Sequence, residues 1–178
     1  MANAIVVTNA GPLIALGKLN RLDLLAGLFG QVRIPRAVYE EVVLAGLARG
    51  AADARAVQLF CQQQKWPIVE VPDSTMVAYV PEVILDPGEI EVLAFAQTVP
   101  DALVLLDDEV ARAEARRLRL GVRGTLGILV QGYRADLLSL AQVELLIREI
   151  AVRPDIWIGA KLCEEVLASL PIVEKQDL

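Results

Sequence analysis

Residues 3–16, Asn-Ala-Ile-Val-Val-Thr-Asn-Ala-Gly-Pro-Leu-Ile-Ala-Leu, constrain this chain more than any other stretch. An apolar, β-branched run from Ala4 to Val7 ends in the polar pair Thr8 and Asn9. Ala10, Gly11 and Pro12 turn the chain, and Leu13, Ile14 and Leu16 open a helix. A short, wholly apolar strand followed by a helix is the pattern of a buried parallel strand in an α/β sheet. In open sheets of that kind, ligands bind beyond the carboxyl ends of the strands. Asn9 therefore marks the edge at which chemistry is expected.

The rest of the chain continues the alternation. Residues 13–28 are apolar at helical spacing and divide into two helices at Gly17 and Asn20. Strands are predicted at 31–34, 67–71, 102–106 and 121–123, and helices at 36–47, 51–64, 109–118, 124–132, 138–151 and 159–170. Pro35 suits the first position of its helix. Residues 72–85, with an Asp, a Ser and two Pro, read as an irregular connection or flap. Asp86-Pro-Gly-Glu89 has the form of a capping box, which opens a helix running to Gln97. Alternating strands and helices predict a single α/β domain over residues 1–178. Its form is a three-layer α/β/α sandwich around a parallel sheet of about five strands. Helices within 138–170 either pack on that domain or form a dimer interface.

Composition removes several classes of chemistry. There is no histidine, so imidazole metal ligands, Ser-His-Asp triads and histidine bases are excluded. Cys61 and Cys163 are far apart in sequence, match no metal spacing and read as buried thiols. A net charge of −6 excludes a uniformly basic surface, although Arg112, Arg116, Arg117, Arg119 and Arg123 form a local basic run. No apolar run reaches the length of a membrane span. The N-terminus enters a strand without the pattern of a signal peptide, so a cytoplasmic setting is expected.

Four places put polar groups at strand ends or helix starts: Asn9, Glu40/Glu41, Glu89 (with Glu91) and Asp107/Asp108. Carboxylates that converge at the edge of a sheet repel one another unless a cation neutralises them, and Mg²⁺ or Mn²⁺ prefers such oxygen ligands. Each acid also has a purely local reading. Glu89 completes the capping box, Asp107 is a helix cap with Asp108 and Glu109 complementing the dipole, Glu40 and Glu41 lie on a solvated face, and Asn9 holds a turn. At i±3 and i±4 Glu41 has only Ala37, Val38, Leu44 and Ala45, whereas Glu40 has Arg36, so Glu41 is the stronger candidate. The corresponding test does not separate Glu89 from Glu91. Arg112 shares a helix face with Arg116 and is either a phosphate contact or a partner of Glu109 and Glu114. Trp66 and Trp157 read as core or interface residues.

The ordered motifs Asn9-Ala-Gly-Pro-Leu-Ile-Ala-Leu16, Ile34-Pro-Arg-Ala-Val-Tyr-Glu-Glu-Val42, Leu85-Asp-Pro-Gly-Glu89, Val104-Leu-Leu-Asp-Asp108 with Ala111-Arg112, and Gly124-Thr-Leu-Gly127 resemble the PIN-domain superfamily. They are most similar to its branch related to VapC-like toxin ribonucleases. The resemblance implies a Mg²⁺- or Mn²⁺-dependent endoribonuclease. Asn9, Glu41, Glu89 and Asp107 or Asp108 would stand at the catalytic positions, the four acids would be metal ligands, and Arg112 would touch substrate phosphate. It also implies an RNA substrate, a small antitoxin as partner, and a homodimer. The family's first-strand Asp is Asn9 here, and the Thr or Ser that often follows is replaced by Ala10 and Gly11. The rival expectation is a PIN-like module silent in catalysis that binds RNA or a protein partner.

Overall fold

The computed structural model describes residues 4–170. The ends of the expected 1–178 domain, and Asn3 of the opening stretch, lie outside the described residues. The chain packs as two compact units, one ending at Thr125 and the other beginning at Leu126.

The first unit holds a five-stranded parallel sheet. Its strands are β1 (Val6–Thr8), β2 (Val32–Pro35), β3 (Ile68–Val69), β4 (Leu103–Leu105) and β5 (Gly121–Arg123). The order is β3-β2-β1-β4-β5, so the winding reverses between β1 and β4. The register pairs Val6 with Val32 on one side and with Leu103 on the other, and Thr8 with Leu105. Val7, Val32, Ile34, Val104 and Leu105 are wholly buried, as expected of strands covered on both faces. The expected α/β/α architecture is present.

Helices fill the connections. After β1 come α1 (Ala10–Lys18) and α2 (Asp23–Phe29), separated by Asn20 in the left-handed region at φ 53°. Pro35 ends β2 at φ −57° and ψ 151° rather than starting the next helix. That helical segment has three parts: α3 (Arg36–Tyr39), a π-helical turn (Glu40–Ala45) and α4 (Gly46–Ala48). Gly50, at φ 72°, turns the chain into α5 (Ala52–Gln64). The 72–85 connection is not wholly irregular, because α6 (Asp73–Ala78) lies within it. No residue of α6 is buried, so the helix has no apolar stripe from which sequence could show it. α7 (Pro87–Ala96) packs on β1, β2 and β4, and α8 (Glu109–Arg117) packs beside β5.

The second unit contains all of α9 (Thr125–Arg134) but its first residue, together with α10 (Leu140–Val152) and α11 (Ala160–Ser169). The last two pack together. Ser139 caps α10, its Oγ accepting from Gln142 N–H at 3.3 Å, and Val143, Ile147 and Ile150 are buried. Trp157 is 92% exposed, unlike Trp66, whose buried indole donates to the Gly30 carbonyl at 3.0 Å. Both cysteines are free and buried. No described helix is long and apolar enough to cross a membrane.

The approach of α4 to α5 depends on a missing side chain. A Cβ at Gly46 would stand 2.6 Å from Ala54 Cβ. Gly46→Ala is therefore expected to lower stability by about 1–3 kcal/mol through overpacking, measured by urea unfolding.

Candidate active site

The reversal between β1 and β4 opens the sheet at its carboxyl edge, where such folds bind ligands. Asn9 leaves β1 there, and its N–H donates to Leu105 O of β4 at 3.0 Å. Its residue is 9% exposed and sits at the N-cap of α1, but its side chain makes no capping bond. Asn9 Oδ1 is buried without a hydrogen-bond partner. Such an oxygen is costly to leave unpaired, so it is not explained by turn geometry.

Gly88, in the first turn of α7, forms one wall. A Cβ there would stand 3.1 Å from Asn9 Oδ1, 3.2 Å from Val38 Cγ2 and 3.5 Å from Glu41 Oε2. The amide oxygen and the Glu41 carboxylate thus face the same space over a residue that has no side chain to fill it. Glu41 comes from the π-helical turn, a form frequent at functional sites. Leu44, one of the apolar neighbours that favoured Glu41 in the sequence, is 51% exposed. Glu41 belongs here because it reaches Gly88, not because it is enclosed by its own helix. Arg36 bonds Glu70 rather than Glu40, with Nε at 2.6 Å from Oε1.

Glu89 and Glu91 diverge. The capping box forms, with Asp86 N–H donating to Glu89 Oε2 at 3.0 Å. Glu89 is buried, and its carboxyl is pushed up by burial and by the charges of Asp108, Asp86 and Glu41, while the Asp86 N–H opposes the shift. Glu41 is likewise pushed up, first by desolvation and then by Asp86, with Arg49 opposing. Glu91 instead accepts from Ala37 N–H at 2.8 Å, tying α7 to the start of α3.

The paired aspartates also differ. Asp107 Oδ1 accepts from Thr125 N–H at 2.7 Å, and Oδ2 accepts from Thr125 Oγ1 at 2.6 Å. Burial raises the Asp107 carboxyl, against both Thr125 bonds and the nearby Arg112 charge. Asp108 caps α8 through Ala111 N–H at 2.9 Å. Arg112 Nε is buried without a partner, and Glu114 pairs with Arg117 rather than with Arg112. Thr125 is the participant that sequence reasoning missed, since its signal was only its place in the Gly124-Thr-Leu-Gly127 motif. A separate cavity of about 310 Å³, lined by Ser74, Thr75, Tyr79, Gln97 and Thr98 among others, includes none of these acids.

The strands and the switch point, with acids at their ends, match a known family. A family model described as a PIN domain matches residues 5–171. The chain belongs to the PIN-domain family. No curated protein matches it. Its architecture is accordingly a PIN, nuclease-type fold. Among the described residues, no three His, Cys, Asp or Glu side chains come together closely enough to hold a metal ion alone. The donors at this PIN site are all oxygens, and one of them is the unpartnered Asn9 Oδ1. That set suits a cation such as Mg²⁺, which keeps several waters and takes one or two carboxylates with substrate phosphate.

Opposed shifts give a pH signature. Glu41, Glu89 and Asp107 are raised, so without metal the native state gains stability as pH falls from neutral towards the ordinary carboxylate range. Glu114 is lowered to about 2 by its Arg117 bonds, so its contribution is present above the ordinary value of 4.5 and is lost as pH falls from there towards 2. Unfolding in EDTA buffer should show maximal stability between these limbs. Glu89→Gln, which keeps a capping-box acceptor, should raise the melting temperature at pH 7.

Proposed function

We propose that the chain is a Mg²⁺- or Mn²⁺-dependent endoribonuclease of the toxin type. The observation that carries this reading is the buried, unpartnered Asn9 Oδ1, which faces the Glu41 carboxylate across Gly88. No ion pair neutralises Glu41, Glu89, Asp107 or Asp108 among the described residues, so the cluster calls for a cation from outside.

In this reading Glu41, Glu89 and the Asp107/Asp108 pair hold the ion, and Asn9 ligates it or orients the attacking water. A bound divalent ion supplies Lewis-acid activation of that water and stabilisation of the leaving oxygen. Arg112 offers its free Nε–H to the scissile phosphate. The RNA backbone meets local arginines rather than a basic surface, which agrees with the net charge of −6. A small antitoxin and a second copy of the chain are the proposed protein partners. Exposed Leu145, Val152 and Trp157 in the second unit favour such contacts.

The asparagine at the first strand also favours a second reading, a silent binding module. The two separate in a cleavage assay on a mixed single-stranded RNA pool with Mn²⁺, Mg²⁺ or EDTA. Cutting should require metal and should fall by about 10²-fold or more in the Asp107→Asn/Asp108→Asn double variant. No cutting by wild type, with cutting gained in Asn9→Asp, would assign the silent module instead.

A further inference from the structure

α6 and α7 pack together, and the cavity of about 310 Å³ that stands apart from the carboxylates lies between α6 and the end of α7. Its size is at the lower end of small-molecule sites, about 300–1,000 Å³. No charged side chain lines it. Three of its lining groups spend a donor on the protein. Tyr79 Oη donates to Glu114 Oε1 at 3.2 Å, Gln97 Nε2 to Leu93 O at 3.2 Å, and Thr98 Oγ1 to Phe95 O at 2.7 Å. Gln97 Oε1 and the lone pairs of Thr98 Oγ1 remain as acceptors. Ser74 and Thr75 add hydroxyls that have no partner among the described residues and can accept as well as donate.

The α7 wall is the carboxyl end of that helix. Thr98 N–H turns to Phe95 O at 2.9 Å instead of continuing the helix to Ala94 O. Carbonyls at a helix C-terminus carry partial negative charge and favour cations. The surrounding sequence has the same sign. From Trp66 to Ala111 there are ten Asp or Glu and no Lys or Arg. Arg36 and Arg117, from outside this stretch, meet Glu70 and Glu82, whereas Asp73, beside Ser74 in sequence, is exposed and has no ion pair among the described residues. An anion is therefore disfavoured here, and a donor of positive charge is favoured.

We propose that the cavity between α6 and α7 binds a small linear amine in its ammonium form, held by oxygen acceptors at the carboxyl end of α7. An ammonium has three donors and no acceptor, which matches a lining whose own donors are largely used. The site is separate from the carboxylate edge, and the proposal does not depend on the metal-dependent reading.

The test is calorimetric titration of the full chain with putrescine in EDTA at about 0.15 M salt, where long-range attraction is screened. Putrescine should bind, and the corresponding diol, with hydroxyls in place of both ammonium groups, should not. Ala78 lines the cavity and is exposed, so Ala78→Phe fills it without entering the core. That variant should weaken putrescine binding by about tenfold or more, and Gln97→Leu, which removes an acceptor, by about threefold or more. Glu41→Gln, at the carboxylate edge, should bind putrescine within about threefold of wild type. Wild type that takes no putrescine, or takes the diol equally well, would overturn the proposal. So would full binding by Ala78→Phe or loss of binding in Glu41→Gln, since either places the amine outside this cavity. Where Ala78→Phe does not fold, undiminished binding by Gln97→Leu overturns it.

Discussion

The carboxyl edge of this sheet is held by one half-buried carboxylate, that of Asp107. Desolvating Asp107 is costly, and the cost is only partly offset by two short bonds from Thr125 and by the Arg112 charge. Those bonds bring the turn after β5 against the end of β4, and Gly124 in that turn and Gly11 in the first turn of α1 both stand where a Cβ would press on the carboxylate. Gly11 thus has a packing reason to replace the hydroxyl residue that the family resemblance leads one to expect. Thr125 is bonded to Asp107, just past β4, and the Gly11 backbone that follows Asn9 packs against the same side chain. The switch point between β1 and β4 is therefore a frame in which the segments after β1, β4 and β5 meet around one carboxylate.

Much of this frame was legible in the sequence, because the signals were local. Apolar β-branched runs ending in polar residues located β1 and β4, and Asp86-Pro-Gly-Glu89 located the start of α7 through capping chemistry. What was not legible depended on contacts between distant segments. Glu89 and Glu91 have similar surroundings in sequence, and only the approach of α3, whose Ala37 N–H takes Glu91, separates them. Arg36 had Glu40 four residues away and bonds Glu70 across the connection to β3. The π-helical turn at Glu40–Ala45 breaks the 3.6-residue period on which the Glu41 argument relied. α6 was invisible because it buries nothing, so no periodic apolar stripe marks it.

The connection that contains α6 is nonetheless anchored. Glu114 of α8 accepts from Tyr79 Oη at 3.2 Å, from Glu82 N–H at 3.4 Å, and from Arg117 Nε and Nη2 at 2.7 and 2.8 Å. Arg117 also pairs with Glu82 at 3.0 Å. The segment that leads into Asp86 and Glu89 is thus tied to the helix that Asp108 caps. The carboxylates of α7 and α8 are related through protein contacts as well as through mutual repulsion.

Comparing Glu114 with Glu89 gives the electrostatic argument for a ligand its sharpest form. Both are buried glutamates within the same unit, at 3% and 7% exposure. Glu114 has a bidentate arginine, a phenol and a backbone N–H, and its carboxyl is lowered to about 2. Glu89 has one backbone N–H and three neighbouring acids, and its carboxyl is raised. The same chain therefore contains a fully compensated buried carboxylate and an uncompensated one, and nothing in the composition, with 17 basic residues, forced the difference. Packing alone does not call for Glu89 and Glu41 to stand without an ion pair. Leaving them so costs stability, and a positive charge arriving from outside the chain is what would offset that cost.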